Sequence, residues 1–155
     1  MTFQEKLIKM DACEPAVEWV GSKTLRESWD TCERADWMLW LLRKAGCDLR
    51  TFTHCKVVCT EYARHKMTDP RSIAALDGAW AFVRGEIGEV ELNRLAAAAY
   101  AYADADAAAA TAYHAAAAYH AAADARYATR SQMANDIRKI VNADFVEKIV
   151  SLSKK

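Results

Sequence analysis

The sequence predicts an all-α fold: a compact multi-helix bundle of antiparallel helices, with a long alanine-rich helix or helical pair and a C-terminal helix. Three observations predict it. Helix start and stop signals punctuate the chain from Asp11 to Gly85. Apolar residues recur at helical spacing between them. A tract from Leu95 to Thr129 is mostly alanine, the residue that loses least on entering a helix. No convincing pair of strands competes with this pattern.

Taken in order, Asp11 with Glu14 and Thr24 with Glu27 read as capping boxes, an N-cap oxygen followed three residues later by a carboxylate. Gly21 and Gly46 suit positions just past helix ends. The run CERADWMLWLLRKAG leads to Gly46, and its apolar centre from Trp37 to Leu42 reads as a central helix covered on most sides. Asp48 can cap LRTFTHCKVVCTEYARHKM, in which Phe52, Cys55, Cys59 and Tyr62 form one stripe. Asp69 followed by Pro70 is an N-cap with proline in the first turn. The helix it opens carries a second stripe, Ile73, Leu76, Trp80 and Val83, and closes at Gly85. Trp37, Leu41, Phe52 and Trp80 are the expected core.

Glu89 starts the alanine-rich run, and neither glycine nor proline follows Gly88. One straight helix from Glu89 to Thr129 would be about 60 Å long at the usual rise, longer than a compact domain of this size. The tract therefore projects or breaks, with Ala107–Thr111 as the expected break. Tyr102, Asp106, Tyr113, His120 and Tyr127 share roughly one face of it. The expected organisation is one domain over 1–155, with a Trp-rich helical core over 1–88, the alanine-rich tract over 89–130 and a C-terminal helix over 131–155.

Composition excludes several classes. The formal net charge of the 155 residues is zero, so the clustered cationic excess that binds phosphate backbones is missing and direct nucleic-acid binding is not expected. No apolar run approaches the roughly 18 residues that span a bilayer. The N-terminal stretch lacks the continuous apolar region of a signal peptide. The five cysteines, Cys13, Cys32, Cys47, Cys55 and Cys59, are then expected as free thiols in a cytoplasmic protein.

Candidate chemistry is sparse. Cys55 and Cys59 share a helix face and His54 adjoins them, which allows a small metal- or thiol-dependent enzyme. Structural zinc needs four ligands, usually in two paired units, and no second pair is present. Buried cysteine also packs as a small hydrophobe. His120 and Asp124 could pair along one helix. Arg34 and Asp36 flank the start of the apolar helix, where they could reach a buried pocket beside Trp37 and Trp40, although ion pairs at the rim of the core are the favoured reading. No phosphate loop, nucleophile elbow or zinc-protease motif occurs. No catalytic residue, metal or cofactor is expected.

The blocks TLRESWDTCERADWMLWLL and AALDGAWAFVRGE, followed by an alanine run seeded with Tyr, His and Asp, resemble the small helical immunity proteins with the Imm-5-like domain. Trp29, Cys32, Arg34, Asp36, Trp37, Trp40, Trp80, Gly85 and Glu86 carry the resemblance, which covers roughly Thr24 to Arg138. It implies neutralisation of a toxin by binding, without catalysis. Similar small helical inhibitors in phages block host defence systems. The expectation is a non-catalytic inhibitor that occludes a protein partner, a toxin or a defence effector, with the acidic residues of the alanine tract suited to a basic surface on that partner. Its binding residues would be Tyr102, Asp106, Tyr113 and His120 on the alanine tract, with Arg34 and Asp36.

Overall fold

Short helices with well-formed caps build the structure, a computed structural model that describes residues 1–99 and 123–153, with side chains in the second segment from Thr129 onward. Among the described residues the chain is all helical, in agreement with the sequence. Helix α1 spans Phe3–Lys9, α2 Glu14–Val20, α3 Leu25–Thr31, α4 Ala35–Lys44, α5 Leu49–Glu61 and α6 Pro70–Arg84. A helical stretch at 89–99 is α7, followed by α8 at Ala123–Ile140 and α9 at Ala143–Leu152. A single 3₁₀ turn, Arg64–Lys66, lies between α5 and α6.

The expected caps at Thr24, Asp48 and Asp69 form. Thr24 and Glu27 make a reciprocal capping box on α3. Asp48 accepts from the Thr51 N–H, and Asp69 from that of Arg71 ahead of Pro70. The box expected at Asp11 does not form. Asp11 instead ends α1: its N–H reaches the Ile8 carbonyl and the Ala12 N–H reaches that of Leu7, the two bonds of a Schellman turn. Helix α2 starts behind Cys13, which makes no side-chain cap bond.

At Gly85 the backbone takes φ 80° to close α6. A side chain there would also approach the Arg50 guanidinium, which stacks on Phe82 and donates to its carbonyl at 2.8 Å. Arg50 thereby ties the start of α5 to the end of α6.

Two segments depart from the sequence reading. Helix α5 was expected to run to Met67 but stops at Glu61. The Glu61 carboxylate accepts from Trp80 Nε1 at 2.9 Å and from Arg64 at 2.5 Å, and Arg64 also reaches Asp77 at 2.8 Å. These bonds draw the chain after α5 toward α6 in a turn. The C-terminal helix expected over 131–155 is divided. Helix α8 runs to Ile140, and Asn142 then caps α9 by accepting from the Phe145 N–H at 3.0 Å. An asparagine supplies the break without glycine or proline.

The core centres on α4, which packs against α5 and α8, while α6 lies on α5 and α9 on α3. Met38, Leu41 and Leu42 of α4 meet Cys55, Ile137, Val141, Val146 and Val150. Of the four expected core residues, Leu41 is buried, whereas Trp37, Phe52 and Trp80 are half-buried. Trp80 keeps its indole N–H on Glu61, and Phe82 is the buried aromatic of α6. The apolar circumference of α4 thus has two uses: Met38, Leu41 and Leu42 enter the core, and Trp37 and Trp40 pack against its edge and line a cleft. Gly78, buried on α6, lets α7 approach, because a Cβ there would overlap the end of Leu95.

Candidate functional site

Trp37 and Trp40 look into a cleft of about 460 Å³ between α1, α2, α3 and α4. Trp19, Trp29 and Phe3 complete its aromatic lining, so four of the five tryptophans of the chain meet there. Concave, largely apolar spaces of this size with a few polar groups are the usual form of a binding site. Each wall has a local cause. The centre of α4, Trp37 to Leu42, is apolar all round, and only part of it can be enclosed in the core. Helix α2 is too short to cover the rest and places Trp19 against Trp37, with ring centroids 5.9 Å apart and planes tilted by 58°.

The floor is held from behind. Trp29 is 2% exposed and donates from Nε1 to the Val141 carbonyl at 3.0 Å. Arg138 on α8 donates from Nε to the Trp29 carbonyl at 2.9 Å and from Nη2 to the Cys32 carbonyl. These carbonyls end α3 and have no intrahelical partner, so the guanidinium fork caps the helix that carries the floor. Ser28, also on this wall, is buried, and its hydroxyl has no hydrogen-bond partner among the described residues.

At the mouth, Arg34 donates from Nε and Nη2 to the two oxygens of Asp36, at 2.9 and 2.5 Å, and lies over the Trp37 ring at 4.4 Å. Burial pushes the Asp36 carboxyl up, but the bonds to Arg34 and its charge outweigh that and hold it below the usual carboxylate range. Cys32 lies beneath, accepting from the Arg34 N–H at 3.4 Å. Burial raises its thiol, opposed by the Arg34 backbone bond and the Arg138 charge. The mouth therefore carries a neutralised ion pair on an aromatic platform.

The structure thus joins Arg34, Asp36, Trp37 and Trp40 at one pocket, as their spacing suggested. Tyr102, Asp106, Tyr113 and His120, with the proposed break at Ala107–Thr111, lie outside the described residues. The Cys55, Cys59 and His54 group does not converge. Cys55 is fully buried and its thiol is pushed up to about 12 by burial, with a further contribution from neighbouring thiols. Cys59 is raised to about 11 by burial and then by Asp136. His54 packs edge-on against Trp80 instead, 5.8 Å between centroids. Among the described residues no three His, Cys, Asp or Glu side chains gather closely enough to hold a metal ion.

Sequence reasoning missed Trp19, Asp11 and Cys13, which line the cleft from α2 and the turn before it. A single tryptophan on a seven-residue helix carries no periodic signal that would pair it with α4.

Fold and cleft together define an all-α protein with a tryptophan-walled surface site. Compared with models of protein families, with curated proteins and with solved structures, the chain matches none. No helix among the described residues is long and apolar enough to cross a membrane.

Proposed function

We propose that this chain is a non-catalytic binding protein of the immunity or inhibitor class, which neutralises a toxin or a defence effector by occluding its surface. The cleft is the observation that supports the reading. Tryptophan and arginine are the residue types that dominate binding energy at protein interfaces, chiefly in desolvated pockets. Here Trp19, Trp37 and Arg34 are grouped at an open cleft and half-buried rather than spent in the core. Burying the remainder of such rings on a partner gains apolar area at little rotamer cost. The resemblance over Thr24 to Arg138 points to the same class, since six of the nine residues that carry it, Trp29, Cys32, Arg34, Asp36, Trp37 and Trp40, line this cleft. The thiol-enzyme alternative gains no support, because a thiol at about 12 is protonated at neutral pH and the Cys55 sulfur is enclosed.

Site-directed photo-crosslinking in cells tests the proposal. A crosslinker at position 36 should trap one protein species, and the same group at exposed Val90 should not. Excess untagged parent should compete for that species, whereas the Trp37→Ala variant should compete at least about thirtyfold less well, the effect of losing a roughly 2 kcal/mol hot spot. The trapped protein's activity should fall when the parent chain is added. Equal competition by Trp37→Ala, or a trapped protein whose activity is unaffected, would refute the proposal.

A further inference from the structure

We infer that the cleft is a socket for a basic side chain, an arginine or lysine presented by the partner protein and held between the tryptophan rings and the Asp11 carboxylate. The inference rests on the reading of the cleft as the partner-binding site and adds the chemistry of what enters it.

Charge is the first support. Asp11 lines the cleft and is exposed, and its carboxylate makes no hydrogen bond or ion pair with any described residue. The other carboxylate of the lining, Asp36, is held at both oxygens by Arg34. One negative charge of a largely apolar lining thus has no counter-charge among the described residues. An acidic side chain would be repelled there, and a neutral apolar one would make no use of it.

Backbone geometry is the second. Asp11 is the one described non-glycine residue with positive φ, at 59°. It occupies the residue after the C-cap of α1, where glycine adopts the left-handed conformation at least cost and asparagine and aspartate tolerate it. Helix termination alone therefore favours glycine, as at Gly46 and Gly85. Asp11 gives up that ease and sets a carboxylate at the cleft mouth.

The walls are the third. Cations are drawn to the faces of tryptophan above all other rings. Lys23 lies 4.5 Å over Trp19 and Arg34 4.4 Å over Trp37. Each of these cations has its own counter-charge: Asp36 for Arg34, and Glu27 within electrostatic reach of Lys23. The apolar lining suits the aliphatic stem of a long basic residue, which buries its methylenes while its head finds a charge.

The test uses the whole chain and the indole N–H resonances of its tryptophans. Nα-acetyl-argininamide and Nα-acetyl-lysinamide should shift the Trp19 and Trp37 signals and leave Trp80 unmoved. Nα-acetyl-citrullinamide, the neutral isostere of the arginine probe, should bind at least about fivefold more weakly. Asp11→Asn keeps a residue that tolerates the left-handed backbone and should lower the affinity for the basic probes by a similar factor. Asp11→Gly should abolish that preference while raising the melting temperature by about 2–4 °C. Equal binding of the citrulline probe, unchanged affinity in Asp11→Asn, or no shift with any probe at decimolar concentration would overturn the inference. Micromolar affinity for a free probe would overturn the assignment to a partner's side chain and point to a small cationic ligand. Loss of the charge preference alongside intact crosslinking at position 36 would remove this inference and leave the proposed function standing. Probe binding without a trapped partner would do the reverse.

Discussion

Burial divides the five cysteines more sharply than their spacing does. Cys13 is exposed at the cleft mouth, Cys47 and Cys59 are half-buried, and Cys32 and Cys55 are enclosed. Modification with a thiol reagent at mild alkaline pH should therefore label Cys13 first and leave Cys32 and Cys55 unlabelled until the protein unfolds. All five should react in denaturant, since every one is a free thiol. Rapid labelling of Cys55 in the folded protein would contradict its placement. A pH dependence follows from the same residues. Burial raises Cys55 to about 12 and both Cys47 and Cys59 to about 11, from an unperturbed 9.0. The folded chain holds these protons after the unfolded chain has released them. Their contribution is fully present below pH 9 and is lost as pH rises through the folded values. The melting temperature should decline from about pH 9 toward pH 12, and Cys55→Ala should flatten that decline, whatever it costs in packing. An alkaline limb that is identical in parent and Cys55→Ala would exclude this source.

Element boundaries depend on single caps and clamps. Asn142→Ala should cost about 1 kcal/mol, because it frees the Phe145 N–H at the start of α9. Denaturant unfolding measures it. Arg138→Lys keeps the charge but loses the fork that serves the Trp29 and Cys32 carbonyls together. It should cost about 1–3 kcal/mol and red-shift the tryptophan emission, since the clamp holds the floor on which Trp29 stands. A variant as stable as the parent, with unchanged emission, would show that the clamp is dispensable. Three helix starts that follow a Thr or Asp were legible in sequence, since Thr24, Asp48 and Asp69 cap where expected, whereas the Thr2–Glu5 box that opens α1 went unread. The role of Asp11 was not legible, because aspartate suits both an N-cap and a left-handed helix end. The choice between them is made at the end of α1, where the Asp11 N–H satisfies the Ile8 carbonyl and the Ala12 N–H that of Leu7. The ends of α5 and α8 were equally hidden, since tertiary bonds to Trp80 and Asp77 shape the first and a lone asparagine makes the second.

Across the whole molecule, α4 is the axis on which fold and site both depend. Its apolar run was legible, and so was the adjacency of Arg34 and Asp36 to Trp37 and Trp40. That the run splits into a core side and a cleft side was not. The division depends on α2 and α3, which line the cleft together with α4, and short helices with one tryptophan each leave no periodic trace. The core side can be probed without touching the cleft. Leu42 is fully buried, and Leu42→Ala should cost about 2–5 kcal/mol by opening a cavity, while the environment of Trp19 and Trp37 in the folded state stays as it was. The cleft side carries the functional claim. Hydroxyl-radical footprinting of the five tryptophans, with and without the protein trapped at position 36, tests it most directly. Protection of Trp19 and Trp37 on complex formation, with Trp80 oxidised at the same rate in both samples, is the predicted result. Unchanged oxidation of Trp19 and Trp37 in the complex, with protection elsewhere on the chain, would contradict the account.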